Sequence, residues 1–513
     1  MRRRQIKSLL VFLIIILLSS TSLIQALSID LKNEFDDFFE DKVESFFEKR
    51  KIDTSYNNLV GMEEVEHDID LIHELYPEYY RDYPMNQSVY LFDDQYEDYH
   101  NKLIEEYDFG IPKRLNNYPT EKLDFQNGTT WYVDDVLGEG PGNPPEDFTN
   151  IQDAIDVARN GDIIFVYEGK YFGHVKISKS IKLMGENKNS TIIESGTILI
   201  AYTDNVHVSG FKIKISEYGI YIVNSQYNII KENILINNDY GLVISYDDQI
   251  ERWKDPYFNT LEKNEILYNN IGLLFRETSF NRISGNLIEN NYEGIWQFRS
   301  FNNNFSENKI NNNSVGIYFT YWSLDNKIIG NNITNNKIYG IHCVLSGNIS
   351  IINNNINSNN DGIYLLNSTS NTIKSNKCNN NKKGIIIHYS LENNLSDNDF
   401  SNNYCGIELR NSYLNKIENC TISHNYFFGL YSFGSRYNYI TRCDFIDNND
   451  RFKITHYEGE PGDKHFFYRN YWSGRPIQLP IPYLIHIDMS LFPLKQFTFN
   501  WDWFPKATPY NYN

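Results

Sequence analysis

Residues 354–388 read NNINSNNDGIYLLNSTSNTIKSNKCNNNKKGIIIH, and two features of this stretch repeat after 22 residues. Gly362-Ile363 returns as Gly384-Ile385, and Asn354, eight residues before the first glycine, returns as Asn376. Apolar and polar residues alternate between these positions, which is the period of a β-strand and not of a helix. The stretch therefore predicts a coil of about 22 residues built from short strands and turns.

The repeat glycine occurs ten times, with spacings of 22, 31, 22, 22, 24, 22, 22, 22 and 23 residues: Gly219, Gly241, Gly272, Gly294, Gly316, Gly340, Gly362, Gly384, Gly406 and Gly429. A fixed period in this range is typical of a solenoid, in which each repeat stacks on its neighbours. We therefore expect an all-β fold, a single-stranded parallel β-helix whose equivalent strands stack about 4.8 Å apart. Glycine is expected at tight corners of the coil.

Asparagine is unusually common: the chain has 68, of which 51 lie in residues 201–450. Asparagines precede the glycines by eight residues (Asn233, Asn264, Asn286, Asn308, Asn332, Asn354, Asn376, Asn398) or by thirteen (Asn228, Asn259, Asn281, Asn303, Asn371, Asn393). An amide both donates and accepts, so stacked asparagines can satisfy turn groups that would otherwise be buried without partners. The excess therefore predicts ladders, and not a disordered tract, because the apolar residues keep their register.

The formal net charge of −19 is concentrated near the N-terminus. Residues 29–130 contain 26 acidic and 10 basic residues, whereas residues 1–28 carry Arg2, Arg3, Arg4 and Lys7 before an apolar run. This balance argues against nucleic acid and anionic membrane surfaces as partners. Residues 1–26 predict a signal peptide, with an uncleaved N-terminal anchor as the alternative, and no further membrane span is expected. Residues 27–130 predict an acidic, aromatic-rich and partly helical region.

A short helix is predicted after Trp131-Tyr132-Val133. Ile151, Ala154, Ile155 and Ala158 recur at helical spacing, with Thr149 or Asn150 as the N-cap and Gly161 as the end. Such a helix would cover the open end of the first coil. We therefore divide the rest of the chain into a cap with the first coils (131–200), the repeats (201–450) and a C-terminal cap (451–513).

On these motifs, residues 131–513 resemble right-handed parallel β-helix proteins of the NosD-like, carbohydrate-binding and sugar-hydrolase class, of the archaeal secreted surface type. The likeness includes Asn470-Tyr471-Trp472 and Asn500-Trp501-Asp502-Trp503 near the C-terminus. The resemblance implies a right-handed coil and substrate binding along an outer sheet face. It also suggests copper, but Cys343, Cys378 and Cys405 lie apart in register and no Met-His cluster accompanies them. From the residues we expect no cofactor and no metal.

The second and fourth residues after each repeat glycine are expected to point outward on one sheet. They form a stripe of rings with Arg and His beside it, which suits sugar rings and uronate carboxylates. An insertion of nine residues within Ser245–Phe258 adds a tryptophan beside this stripe. The predicted ligand-binding residues are Arg276, Trp296, Arg299, Tyr318, Tyr364, Glu408, Arg410 and Trp253. The alternative is that the rings only stack for stability, or lie beneath the acidic region.

These residues predict an exported cell-surface or extracellular module that binds carbohydrate or a cell-surface protein without catalysis. A second hypothesis is a polysaccharide lyase or epimerase, with His342 or His388 as base, Tyr364 as acid and Arg410 neutralising the intermediate. A third is a structural component of the cell envelope.

Cys420 and Cys443 fall five residues after Asn415 and Asn438, so both occupy the ladder position of adjacent coils, within disulfide reach. Three interpretations stay open: a disulfide, two ladder thiols, or a metal site with His424. Ten Asn-x-Ser/Thr sequons also occur, of which Asn332 and Asn419 lie near ladder positions and are expected to be inaccessible: Asn86, Asn127, Asn189, Asn304, Asn312, Asn332, Asn348, Asn367, Asn394 and Asn419.

Overall fold

A computed structural model describes residues 128–135, 148–246, 256–455, 465–473, 481–483 and 500–503. Within these ranges the chain is a right-handed solenoid of parallel strands with one α-helix, α1 (Ile151–Val157), before the first complete coil. Each coil contributes one strand to each of three long sheets, named A, B and C in the order in which the repeats visit them. The predicted parallel β-helix of 22-residue coils is confirmed.

Sheet A begins beside α1 and runs the length of the described solenoid. Its strands are Thr130–Val133, Ile163–Val166, Lys182–Gly185, His207–Ser209, Ile229–Lys231, Thr260–Glu262, Arg282–Ser284, Asn304–Ser306, Lys327–Ile329, Ser350–Ile352, Thr372–Lys374, Asn394–Ser396, Lys416–Glu418, Tyr439–Thr441 and Phe466–Tyr468, followed by Asn500–Trp503. All of them pair in parallel, and Ile481–Tyr483 then pairs antiparallel with Asn500–Trp503.

Sheet B follows one corner later, with strands Gly169–Phe172, Thr191–Glu194, Lys212–Lys214, Ile234–Ile236, Glu265–Leu267, Leu287–Glu289, Lys309–Asn311, Asn332–Thr334 and Asn355–Asn357. Single bridges at Lys377 and Asp399 continue it to Thr421–Ser423, Asp444–Ile446 and Tyr471–Trp472.

Sheet C carries the longest strands, mostly six residues, and contains the repeat glycines. Its strands are Val175–Ile177, Ile198–Ala201, Tyr218–Val223, Tyr240–Ser245, Ile271–Arg276, Glu293–Phe298, Val315–Thr320, Tyr339–Val344, Asp361–Leu366, Lys383–His388, Cys405–Arg410, Phe428–Phe433 and Asp450–Thr455.

The interior is a column of apolar side chains supplied by all three sheets. In sheet C the first and third residues after each glycine point inward, as in Ile363 and Leu365, and both are fully buried. Inward residues of sheets A and B, such as Ile373 and Ile356, are buried to the same degree. Each such side chain contributes about 1.5–3 kcal/mol by leaving water, and this burial is the main driving force for stacking the coils.

Three asparagine ladders line the corners of the coil, one more than the sequence analysis recognised. The members of each donate from backbone N–H and side-chain Nδ2 to the Oδ1 one coil later, as Asn354 does to Asn376 at 2.9 and 3.0 Å. The same Nδ2 also donates to a core-strand carbonyl, in this case that of Ile328 at 2.8 Å. The third ladder, three or four residues before the glycine, is Asn238, Asn269, Asn291, Asn313, Asn336, Asn359, Asn381, Asn403, Asn425 and Asn448.

One predicted ladder member is wrong. In the coil with 24-residue spacing the ladder asparagine is Asn331, which is buried and accepts from Asn308 at 2.9 Å. Asn332 begins the next strand and is only half-buried, as is Asn419. One of the two extra residues of this coil lies between the ladder and Gly340, and the other lies between Gly316 and Asn326, so counting back eight residues from Gly340 gives the wrong asparagine. The side chains of the sequon asparagines Asn332 and Asn419 are therefore not enclosed among the ladder residues.

The repeat glycines are required by close approach and not by corner geometry, which corrects the sequence analysis. A Cβ added to Gly362 would lie 2.5 Å from the carbonyl oxygen of Gly384, and one on Gly219 would lie 2.5 Å from that of Gly241. Neither glycine has a positive φ, whereas the left-handed corner positions hold other residues, often asparagine, as at Asn353 and Asn380. Glycine therefore lets successive coils meet backbone to backbone.

Helix α1 covers the first coil, with Ile151, Ala154 and Ile155 buried. Asn150 is the N-cap, and its side chain accepts from Gln152 N at 2.7 Å. The helix ends at Val157, earlier than the predicted Gly161, and Lys179 Nζ donates to the carbonyls of Ile155, Asp156 and Ala158 at 2.8–2.9 Å. A cation at these orphan carbonyls is favourable for both hydrogen bonding and the helix dipole.

Several predictions lie outside the described residues. They are the signal peptide (1–26), almost all of the acidic region (27–130), the insertion around Trp253, and most of the C-terminal cap (451–513). No helix in the described ranges is long and apolar enough to cross a membrane.

Candidate functional site

The outward side of sheet C carries three columns of side chains, which together we call the outer face. They are the residue before each repeat glycine and the second and fourth residues after it. Strand pairing skips the glycine, as between Asp361–Lys383 and Ile363–Ile385, so the residue before it stays on the outer side. The first column was missed in the sequence analysis, where strict alternation from the glycine was assumed.

The middle column is a stack of rings that pack on one another. Tyr318 and His342 have ring centroids 4.9 Å apart and nearly parallel planes, and His342 and Tyr364 are 5.0 Å apart. Trp296 continues the stack on one side at 6.3 Å, and its Nε1 donates to Thr320 Oγ1 at 3.0 Å. Because ring faces contact other rings, they do not form the open sugar platform expected from the sequence.

His342 is the most enclosed member of this stack. It is only 9% exposed, and burial lowers its pKa from 6.5 to about 3. Its Nε2 has no hydrogen-bond partner among the described residues. Solvent and a polymer therefore reach little of its ring, which argues against His342 and for His388 as the base of the catalytic hypothesis.

Tyr364 and His388 form a hydrogen-bonded pair on adjacent coils, with the Tyr364 hydroxyl 2.9 Å from His388 Nδ1. Burial, and then the nearby cations of Arg410 and Lys383, lower the pKa of His388 to about 3. The imidazole is therefore neutral at ordinary pH, and one ring nitrogen accepts while the other donates. Both residues are half-buried, so each keeps some contact with solvent.

Glu408 organises two cations beside this pair. Its carboxylate is almost fully buried and lies 3.1 Å from Lys383 Nζ, and it also accepts from Arg410 Nε. Burial by itself would lower the pKa of the Arg410 guanidinium. The negative charge of Glu408 and its hydrogen bond outweigh this effect, so the pKa is raised. The Arg410 side chain remains 42% exposed. The predicted Glu408/Arg410 pair is thus present, with Lys383 as an unpredicted third member.

Two carboxyl groups in the first column also went unrecognised. Burial raises the pKa of Glu293 to about 7, and that of Asp361 to about 6, although Lys383 opposes the change at Asp361. Glu293 Oε2 and Asp361 Oδ1 are buried without a hydrogen-bond partner in the described residues. The signal that could have found both is their position directly before a repeat glycine.

The predicted ligand-binding residues fall into two groups and not one site. Arg276 is exposed at the end of its strand, and Arg299 lies over the Phe298 ring and 3.6 Å from Glu277. They lie several coils N-terminal of Arg410; the six coils between Arg276 and Arg410 correspond to about 29 Å. Trp296 and Tyr318 belong to the first group, whereas Tyr364, Glu408 and Arg410 form the second.

Three aromatic rings at the corner between sheets B and C were not predicted. Tyr404, Tyr426 and Phe427, which we call the aromatic corner, are 44%, 73% and 36% exposed. Tyr404 and Tyr426 occupy equivalent positions of successive coils, and the coil between Gly406 and Gly429 has 23 residues because one additional residue lies between Asn425 and Gly429. The sequence signal is the run Tyr426-Phe427-Phe428.

All five cysteines are buried free thiols. Cys420 and Cys443 replace asparagine in the second ladder, where Cys443 N donates to Asn470 Oδ1 at 2.9 Å and Asn398 Nδ2 approaches Cys420 Sγ at 4.0 Å. Of the three interpretations, the structure contains the pair of ladder thiols. His424 is exposed and lies 3.8 Å from Asp447, away from both.

No group of three or more His, Cys, Asp or Glu residues in the described ranges could hold a metal ion. Burial raises the pKa values of the interior thiols, including those of Cys378 and Cys443, so they stay protonated. Protonated thiols hydrogen-bonded to core carbonyls do not fit a copper ion.

Two sequence-family models match the chain. The one described as "Right handed beta helix region" matches residues 196–356, and the one described as "Periplasmic copper-binding protein (NosD)" matches residues 325–475. No curated protein matches the sequence. Together with the observed solenoid, the family matches place the chain in the right-handed parallel β-helix repeat class.

Among solved structures, the A-module of the Azotobacter vinelandii mannuronan C-5 epimerase AlgE6 is 15% identical, with 61% of this chain and 92% of that chain covered and a TM-score of 0.44. The periplasmic alginate epimerase AlgG is 15% identical, with coverages of 59% and 76% and a TM-score of 0.39. The pectate lyase Pel9A is 15% identical, with coverages of 49% and 78% and a TM-score of 0.37. At such identities the likeness concerns the fold alone.

Proposed function

We propose that this protein binds an acidic, uronate-containing polysaccharide on the outer face of sheet C, without turnover, and that Arg410 holds a uronate carboxylate. The observation that carries the proposal is the state of the Arg410 guanidinium. Glu408 fixes its Nε, and no described residue accepts a hydrogen bond from Nη1 or Nη2. These two nitrogens are a pair of parallel donors that matches a carboxylate.

The surroundings of Arg410 suit a sugar. The phenols of Tyr364 and Tyr431 lie near enough to influence the charge of the guanidinium. Tyr431 is the register partner of Glu408 one coil later, so rings lie beside the charged group. The Tyr364 ring is stacked between His342 and His388, whereas the half-buried Tyr431 can contact the carbon face of a uronate while the guanidinium binds its carboxylate. The predicted signal peptide would deliver this face to the extracellular polysaccharides of the cell surface.

Binding of defined polymers tests this function. Alginate and polygalacturonate should bind in isothermal titration calorimetry, and the uncharged polymer dextran should not. Arg410→Gln should weaken binding about ten- to a hundredfold, because a charge-assisted hydrogen bond contributes about 1.5–3 kcal/mol. The matched control is Arg282→Gln, an exposed arginine on sheet A, which should bind like the unmodified protein. Equal affinity of the two variants, or no binding of any acidic polymer, would exclude the proposal.

A lyase or epimerase is the second candidate, and the Tyr364–His388 hydrogen bond favours it. Neutral His388 could remove the proton next to the uronate carboxylate, leaving an enolate-like intermediate that Arg410 neutralises. In a lyase the bond to the leaving glycosidic oxygen then breaks and Tyr364 protonates that oxygen. In an epimerase Tyr364 instead donates its proton to the opposite face of the same carbon.

Turnover separates the two candidates. Unsaturated uronate product, or exchange of the carbon-bound proton with deuterated solvent, would require catalysis. Both should disappear in the His388→Ala/Arg410→Ala variant. If the unmodified protein binds the polymer but produces neither signal, only the binding function remains.

A further inference from the structure

The aromatic corner offers ring surface to solvent, unlike the middle column of the outer face. Tyr426 is 73% exposed, so at least one of its ring faces is open. Tyr404 stacks on Phe427 with centroids 5.3 Å apart and lies 5.8 Å from Tyr426. The three rings thus form a continuous apolar surface at the turn that leads into sheet C.

This surface is connected to the proposed carboxylate site. Phe427 contacts Phe428 at 4.2 Å, and Phe428 stacks on Tyr431 at 5.4 Å. Tyr431 pairs in register with Glu408, which holds Arg410. The aromatic corner and Arg410 therefore lie at opposite ends of the strand Cys405–Arg410, about 20 Å apart at 3.3 Å per residue.

The size of the patch suits a sugar better than a protein. With roughly 200 Å² per aromatic side chain, the exposed fractions correspond to about 300 Å². A stable protein partner requires about 800 Å² on each side. The corner also has exposed polar neighbours, Asn402 and His424, which can hydrogen-bond to sugar hydroxyls.

We infer that the aromatic corner is a second subsite for the same acidic glycan, so that the polymer crosses the solenoid along the strand Cys405–Arg410 and not along its long axis. This inference rests on the proposed function. The corner stacks one sugar ring while Arg410 holds the carboxylate of another several units away. A disaccharide cannot reach both subsites, so affinity depends on ligand length.

A length series of oligogalacturonates and oligomannuronates, from dimers to octamers, tests the inference by calorimetry. Affinity should rise at least tenfold between dimer and hexamer and then level off. Tyr404→Ser/Tyr426→Ser should remove this gain while dimer binding stays unchanged. The matched control is Tyr268→Ser/Tyr292→Ser, two tyrosines that are 57% and 61% exposed several coils away, which should retain the gain.

Each outcome decides the matter. If dimers and hexamers bind equally, or if both double variants keep the length dependence, the second subsite is excluded and the Arg410 site stands. If no acidic oligosaccharide or polymer binds the unmodified protein, the proposed function fails and the inference fails with it. The length series on the unmodified protein does not depend on whether the variants fold.

Discussion

The Tyr364 hydroxyl and His388 Nδ1 lie 2.9 Å apart on two successive coils. Tyr364 is the second residue after its repeat glycine and His388 the fourth, so the contact joins two columns of the outer face. This contact satisfies a ring nitrogen that burial keeps neutral. His342, one coil before Tyr364 and two before His388, is also neutral but leaves Nε2 without a partner in the described residues. The two histidines therefore differ in what their polar atoms contribute to stability.

Replacing His342 with phenylalanine should stabilise the protein. The ring stack with Tyr318 and Tyr364 is preserved while a buried polar atom is removed, which is worth about 1–3 kcal/mol. The gain should grow as the pH falls from 6.5 toward 4, because the unfolded His342 takes up a proton in this range and the folded one, with a pKa of about 3, does not. Urea unfolding at pH 7 and pH 5 measures this. A loss of stability at both pH values would contradict the burial of an unpaired nitrogen.

Glu293→Gln should stabilise the protein at pH 8 and have little effect at pH 5. Burial raises the pKa of Glu293 to about 7, so the folded state holds a proton that the unfolded state releases above its ordinary pKa. Stability is therefore lost as the pH rises through 7, and the glutamine avoids this loss of about 1–3 kcal/mol. Unfolding free energies of both proteins at pH 5 and pH 8 are the measurement. If the glutamine raised the free energy of unfolding at pH 5 but not at pH 8, the raised pKa of Glu293 would be contradicted.

Asn376→Ala should cost about 3 kcal/mol or more. The substitution leaves Asn354 N and Nδ2 without the Oδ1 acceptor and the Ile351 carbonyl without its donor at 2.8 Å. Each buried unpaired group costs about 1–3 kcal/mol. Asn394→Ala, at an exposed position on sheet A, is the control and should change stability by less than about 0.5 kcal/mol. Equal effects in thermal unfolding would contradict a structural role for the ladder.

Gly362→Ala should destabilise the protein more than Gly330→Ala. At Gly362 the new Cβ meets the Gly384 carbonyl oxygen at 2.5 Å, and a backbone atom cannot move aside cheaply, so we expect about 3 kcal/mol or more. At Gly330 there is open space but φ is +67°, so only about 1–2 kcal/mol is expected. Chemical denaturation of both variants gives the comparison, and the reverse order would show that backbone conformation dominates.

Thiol titration tests the state of Cys420 and Cys443. The folded protein should react slowly with a thiol reagent, because all five cysteines are buried. After unfolding without a reductant, five thiols should react, as expected for two ladder thiols. Three reactive thiols would instead indicate the disulfide that the sequence also allowed.

The repeat could be predicted because the strand period and the glycine spacing reflect the same coil. Inward positions such as Ile363 follow from alternation within one strand, and the cap helix follows from its own apolar period. The shift from Asn332 to Asn331 could not be predicted, since the spacing of 24 does not say where the extra residues lie.

Which side chains of the outer face are buried could not be predicted from the sequence, for a different reason. Whether His342 or Glu408 is enclosed depends on side chains of the coils before and after it, and on the column beside the glycine. A single repeat read in isolation contains none of these neighbours. The aromatic corner was missed because Tyr404 and Tyr426 each follow an asparagine of the third ladder, a position that is exposed in most coils, and the sequence analysis did not recognise that ladder.

The ladders also bear on how such a molecule changes length over generations. Each amide, for example Asn376, bonds to the equivalent residue one coil later and accepts from the one before, and to no ladder member farther away. A gene duplication or deletion that adds or removes one whole coil would therefore rejoin matching partners. The gap between Arg276 and Arg410 would grow or shrink in steps of about 4.8 Å. The number of coils thus sets the distance between two binding groups on the solenoid, and this distance can change only by whole coils.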